Sequence, residues 1–150
     1  MSVSMFIQCQ CGSAGIELQG EPAARAYCHC QSCREFYGAA LFAATAWPAG
    51  AVRLTGGPIA SFQHPAKQMS KTFCPACGDT LFGTNRLGMR VVLNSMVARI
   101  AGGSLPGNLV PTMHLFYRQR VVEVADGLTK YLDGWDGPEY GAPGAETKCA

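Results

Sequence analysis

Apolar and polar residues alternate along this chain in short bursts, most of them cut off by glycine or proline. Alternation with period two marks a strand with one buried face, because successive side chains of an extended chain point to opposite sides. Gly15-Ile16-Glu17-Leu18-Gln19 is a clear case, closed by Gly20-Glu21-Pro22. Similar runs predict strands at residues 4–9, 24–30, 39–45, 52–55, 59–63, 68–73, 80–82, 89–94, 112–117 and 121–125. The breaks between them carry turn chemistry, as in Trp47-Pro48, Gly56-Gly57-Pro58, the loop from Gly102 to Gly107, and Asp126-Gly127. One helical turn fits residues 31–36, stopped at Gly38. Helical periodicity is otherwise nearly absent. The expectation is an all-β fold of short antiparallel strands. A single domain should span residues 1–150, with a Gly/Pro-rich tail after about residue 132 lying on the surface. No internal repeat, linker or low-complexity segment interrupts it.

Composition narrows the picture. At 150 residues, with 48% hydrophobic and 15% charged side chains, the chain can bury a real core. A formal charge of +2 and the lack of a basic arm argue against nucleic acid as a partner. No run of apolar residues approaches the length of a membrane span. The segment from Met1 to Gln8 lacks the basic and apolar regions of a secretory signal, so a cytoplasmic, reducing location is expected.

That location changes how the eight cysteines are read. Short spacings in a reducing compartment favour metal over disulfide. Cys28, Cys30 and Cys33 form a C-x-C-x-x-C triplet within Tyr27-Cys28-His29-Cys30-Gln31-Ser32-Cys33-Arg34. On a strand, Cys28 and Cys30 would share a face, and the next turn could bring Cys33 to the same point. Cys74-Pro75-Ala76-Cys77-Gly78 has the spacing of a zinc knuckle, in which Gly78 is placed to offer an N–H toward a sulfur. Cys9 and Cys11 supply a second pair. Two pairs make a closed four-thiolate site at Cys9, Cys11, Cys74 and Cys77, and the triplet is left as an open three-thiolate site. Other groupings, such as Cys33 joining the knuckle, split the triplet. Cys149 falls outside both groups and is expected to be a free thiol.

Five stretches together resemble the glutathione-dependent formaldehyde-activating enzyme family. They are Cys9-x-Cys11-Gly12, Cys28-His29-Cys30-x-x-Cys33-Arg34, Phe73-Cys74-Pro75-x-Cys77-Gly78, Pro111-Thr112-x-His114 and Val124-x-Asp126-Gly127-Leu128. The resemblance runs from about Cys9 to Tyr131. It implies a β-tent fold with two zinc ions, one structural and one catalytic. It also implies carbon–sulfur lyase activity, with glutathione as co-substrate and a small aldehyde as its partner.

The residues suit that chemistry. Three thiolates can hold a soft ion with one position open for a fourth sulfur, and a thiolate is the nucleophile that adds to an aldehyde carbon. Two zinc ions and seven bound thiolates would take the formal +2 to about −1. Cys28, Cys30 and Cys33 are thus the candidate catalytic centre. Arg34, beside the triplet, and His114 are candidates for holding glutathione, whose carboxylates want cationic partners. His29 and His114 are candidates for delivering a proton, although a strand would turn His29 away from the thiol face. Phe36, Tyr37, Trp47, Phe62, Phe82 and Phe116 are expected in the core or as pocket walls. Two other readings share these residues. One is a non-catalytic zinc module that binds a protein, with His114 filling the open position. The other is a thiol redox enzyme like the zinc-containing methionine-sulfoxide reductases.

Overall fold

The computed structural model describes residues 2–142; Cys149 lies outside them. In chain order the strands and helices are β1 (Val3–Gln8), β2 (Ala14–Gly20), β3 (Ala24–Cys28), α1 (Gln31–Tyr37), β4 (Phe42–Trp47), β5 (Val52–Gly56), β6 (Ala60–Gln63), β7 (Ser70–Phe73), β8 (Thr80–Thr84), β9 (Arg90–Leu93), α2 (Asn94–Ile100), β10 (Met113–Leu115) and β11 (Thr129–Lys130). Among the described residues the protein is therefore mostly β with two short helices, rather than all-β. Among the described residues no helix is long and apolar enough to cross a membrane.

The chain forms two compact units. One holds the chain up to Ala24 together with Thr45–Leu109; the other holds Arg25–Ala44 and the chain from Val110 onward. In the first unit β2 lies between β1 and β5, antiparallel to both, and its register sets Ile16 opposite Ile7 and Leu54. Strands β6 to β9 pair in succession, each antiparallel to the next. The alternation expected from the sequence places Ile7, Ile16, Leu18, Val52, Leu81 and Val92 in one buried cluster with Trp47. The indole N–H, which would be costly to leave unpaired, donates to Thr45 Oγ1 at 2.7 Å.

Helix α2 departs from the expected pattern. Only Asn94, Met96 and Val97 of its seven residues are buried, so the apolar stripe is too short to show a helical period. Asn94, expected to end a strand, instead begins this helix.

In the second unit β10 is the middle strand, with β3 on one side and β11 on the other. Both pairs are parallel, against the antiparallel expectation. A hairpin forces antiparallel pairing only on strands joined by a short turn, and β3 and β10 are far apart in sequence. The expected strand at residues 121–125 is absent: the Tyr117 hydroxyl accepts the Val124 N–H at 3.0 Å, and Arg120 pairs with Glu123 at 3.1 Å. Leu132, at the start of the Gly/Pro-rich segment, is fully buried, its N–H bonded to the Pro138 carbonyl.

Candidate metal centres

In the first unit, Cys9 and Cys11 sit in the β1–β2 turn and Cys74 and Cys77 in the β7–β8 turn. Their four sulfurs lie within 4.8 Å of one another. Cys9 and Cys11 are 3.6 Å apart, and Cys11 and Cys74 are 3.7 Å apart. The Cys74 turn closes through its own backbone: Cys74 N–H donates to the Asp79 carbonyl, and Gly78 N–H to the Cys74 carbonyl at 2.7 Å. That corrects the expectation that the Gly78 N–H reaches a sulfur. Glycine suits the position because its φ is +78°.

Three residues around this cluster were not anticipated. Ser13 Oγ lies 3.1 Å from the Cys11 sulfur and 3.3 Å from that of Cys74. Asp79 accepts the Gln10 N–H and pairs with Arg99 at 2.9 Å, while Arg99 also reaches the Gln8 carbonyl. Asp79 and Arg99 thus brace the two cysteine turns against each other. Burial pushes the Cys9 thiol up, but the Ala14 backbone and the neighbouring cysteine sulfurs outweigh it and draw Cys9 down to about 6. The Ser13 hydroxyl foremost lowers Cys74. Four sulfurs converging from two turns, those of Cys9 and Cys74 buried, are the donor set of a closed, tetrahedral soft-metal site such as zinc.

The second unit carries the triplet. Cys28 ends β3, but Cys30 does not continue the strand as expected. It is the N-cap of α1, with the Cys33 N–H donating to its sulfur at 3.3 Å. Convergence therefore comes from a strand-to-helix turn rather than from period two. The Cys28 and Cys30 sulfurs are 3.6 Å apart, and all three lie within 4.8 Å of one another. Among the described residues no fourth His, Cys, Asp or Glu joins this group. Hydrogen bonds from Cys28 and Cys33 chiefly draw Cys30 down to about 3, whereas its bond with Cys30 pushes Cys28 up to about 12, and Cys33 is pushed up by both neighbours. Three sulfurs so close cannot all be anionic by themselves; a divalent cation removes that conflict.

Arg34 holds the turn. Its Nε donates to the His29 carbonyl and its Nη2 to the Gln119 carbonyl, both at 3.1 Å. Gln119 in turn accepts the Gln31 N–H at 2.8 Å, satisfying the first N–H of α1. Gly38 ends the helix in the left-handed conformation that glycine tolerates. Arg34→Lys loses the fork that spans two carbonyls and is expected to cost about 2 kcal/mol. Thermal unfolding checks this, and an unchanged midpoint contradicts it. Tyr37, at the last turn of α1, is kept a neutral phenol, first by burial and then by the Cys33 and Cys28 sulfurs.

His29 and His114, far apart in sequence, meet inside this unit. Parallel pairing sets His114 beside Tyr27, and the two rings stack at 4.8 Å. His29 Nε2 and His114 Nδ1 are 2.8 Å apart, and His114 Nε2 lies 2.8 Å from Asp126 Oδ2. Both nitrogens of His114 are thus spent within the protein, and neither is available to complete the triplet. Burial chiefly drives His29 down to about 4, which keeps it neutral.

Among the described residues, the fold and these two clusters define a mostly β protein with two thiol centres competent for metal, one with four ligands and one with three. The family model for glutathione-dependent formaldehyde-activating enzymes matches residues 4–119, and the chain belongs to that family. Comparison with individual curated proteins gives no match.

Proposed function

We propose that this protein is a zinc-dependent carbon–sulfur lyase that joins glutathione, or a closely similar thiol, to formaldehyde or another small aldehyde, and separates them again. The observation that carries the reading is the triplet of sulfurs within 4.8 Å with no fourth protein ligand among the described residues. A closed site stabilises a fold, whereas an open one leaves room for a substrate atom. Family membership supports this substrate class.

In this reading Cys9, Cys11, Cys74 and Cys77 hold a structural zinc, and Cys28, Cys30 and Cys33 hold the catalytic one, within a β-tent fold. When bound at the triplet, zinc supplies a Lewis acid that favours the thiolate form of an incoming thiol near neutral pH. The protein's own part is to keep three sulfurs convergent through the Cys30 cap and the Arg34–Gln119 brace. Arg34 uses Nε and Nη2 on carbonyls, and its positive charge and remaining donors are offered to a glutathione carboxylate. The reaction makes a bond from the thiol sulfur to the aldehyde carbon, opens the carbonyl, and returns the thiol's proton to the new hydroxyl oxygen. The reverse breaks the same carbon–sulfur bond. The His114-closed binding module loses its premise, since both His114 ring nitrogens are already bonded.

Glutathione and formaldehyde also combine unaided, so exchange between adduct and free aldehyde should be followed by NMR with and without protein. Zinc-loaded wild type should accelerate it, and Cys33→Ser should fall to the uncatalysed background. Failure of the loaded wild type across several aldehydes and thiols would overturn the lyase reading.

A further inference from the structure

Three of the family-like stretches, Cys28-His29-Cys30, Pro111-Thr112-x-His114 and Val124-x-Asp126-Gly127, meet in one hydrogen-bonded line that runs from an exposed Asp126 to two buried histidines. His29 and His114 are both 0% exposed. The line starts at Lys130, whose ammonium donates to Asp126 Oδ1 at 2.7 Å and to the Asp126 carbonyl at 3.2 Å. Lys130 foremost, and His114 after it, hold the Asp126 carboxyl well below the usual carboxylate range. An ionised carboxylate only accepts hydrogen bonds, so the hydrogen between Asp126 and His114 sits on His114 Nε2. Where His114 is a neutral imidazole it has one donor and one acceptor, so its Nδ1 accepts and His29 Nε2 donates to it. His29 Nδ1 is then a bare lone pair. That atom is buried and has no hydrogen-bond partner among the described residues. The Tyr117 ring stands edge-on to His29 at 4.9 Å and packs against His114 at 5.7 Å, which restricts both rings.

We infer that Asp126 and His114 are positioning residues that lock His29 in its Nε2–H tautomer and so present His29 Nδ1, between two of the triplet cysteines in the chain, as the acceptor for an O–H donor. A buried acceptor left unsatisfied costs free energy, so the site should hold such a donor. The donor is either a buried water or the hydroxyl of the thiol–aldehyde adduct; the second source rests on the lyase reading, the tautomer does not.

Long-range proton–nitrogen NMR on the histidines of the full, zinc-loaded chain tests this. The expected wild-type result is a protonated Nε2 and a bare Nδ1 at His29. A protonated Nδ1, as a doubly protonated His114 would impose, overturns the inference without any variant. In Asp126→Asn the amide can donate as well as accept, so the direction of the line is lost and His29 should show mixed tautomers; Asp126→Glu should restore the wild-type pattern. An unchanged His29 in Asp126→Asn also overturns it. Adding glutathione and formaldehyde should shift Nδ1 if the adduct hydroxyl is the donor and leave it unmoved if the donor is water. With the lyase active and the adduct hydroxyl as the donor, Asp126→Asn should keep its zinc and its KM while kcat falls on the order of 10²-fold. An unchanged kcat in an active enzyme whose Nδ1 shifts with the adduct would remove the positioning role. If wild type shows no turnover, the tautomer pattern still stands or falls by itself.

Discussion

Cys77→Ser and Cys74→Ser are expected to give insoluble or unfolded protein. A closed four-thiolate zinc contributes folding free energy directly, on the order of 10 kcal/mol in small domains. That is comparable with the whole stability of an ordinary domain, about 5–15 kcal/mol. The geometry makes the loss hard to absorb. Cys74 is 0% exposed and Cys9 4% exposed, and both belong to the buried cluster of the first unit. Their turns close the β1–β2 and β7–β8 connections, so releasing the ion loosens two strand pairs at once. Recovery of soluble protein by gel filtration and its circular dichroism spectrum check this. A folded Cys77→Ser with a wild-type melting curve would mean that the four-thiol cluster is not the structural centre.

Cys30→Ser should do the opposite: the protein folds, carries about one zinc fewer per chain than wild type, and exchanges the adduct no faster than background. Serine is chosen because Cys30 caps α1, and serine is among the best N-caps. The substitution therefore removes the thiolate while keeping an acceptor for the Cys33 N–H. Metal analysis of the purified variant, read beside its thermal midpoint, is the check. Destabilisation equal to that of Cys77→Ser would show that the division of the cysteines into a structural four and a catalytic three is wrong.

Much of this was legible in the chain because two kinds of signal are local. Period two marked β2 and its neighbours, where Ile16 and Leu18 face the core, and the short cysteine spacings marked both thiol clusters. What escaped depends on tertiary context. Cys30 looks like the end of a strand until the Cys33 N–H and the Arg34–Gln119 brace turn it into a helix cap. The 121–125 run has the β-branched residues of a strand, yet Tyr117 and Arg120 take hold of Val124 and Glu123 first. The meeting of His29, His114 and Asp126 rests on a parallel strand pairing that no local pattern announces. Asp79 and Arg99 look like ordinary surface charges until the fold sets them across the two cysteine turns.

The Cys28–Cys30–Cys33 centre is expected to take the thiol of glutathione as its thiolate. Titration calorimetry tests it directly when zinc-loaded protein is titrated with glutathione at neutral pH in buffers of different ionisation enthalpy. Free glutathione carries its thiol proton at that pH, so binding as thiolate should release about one proton per glutathione. S-methylglutathione, which has no such proton, should release none, and Cys33→Ser should lose the binding. No proton release by the wild type, or equal binding by Cys33→Ser, would mean that the triplet does not take the thiolate.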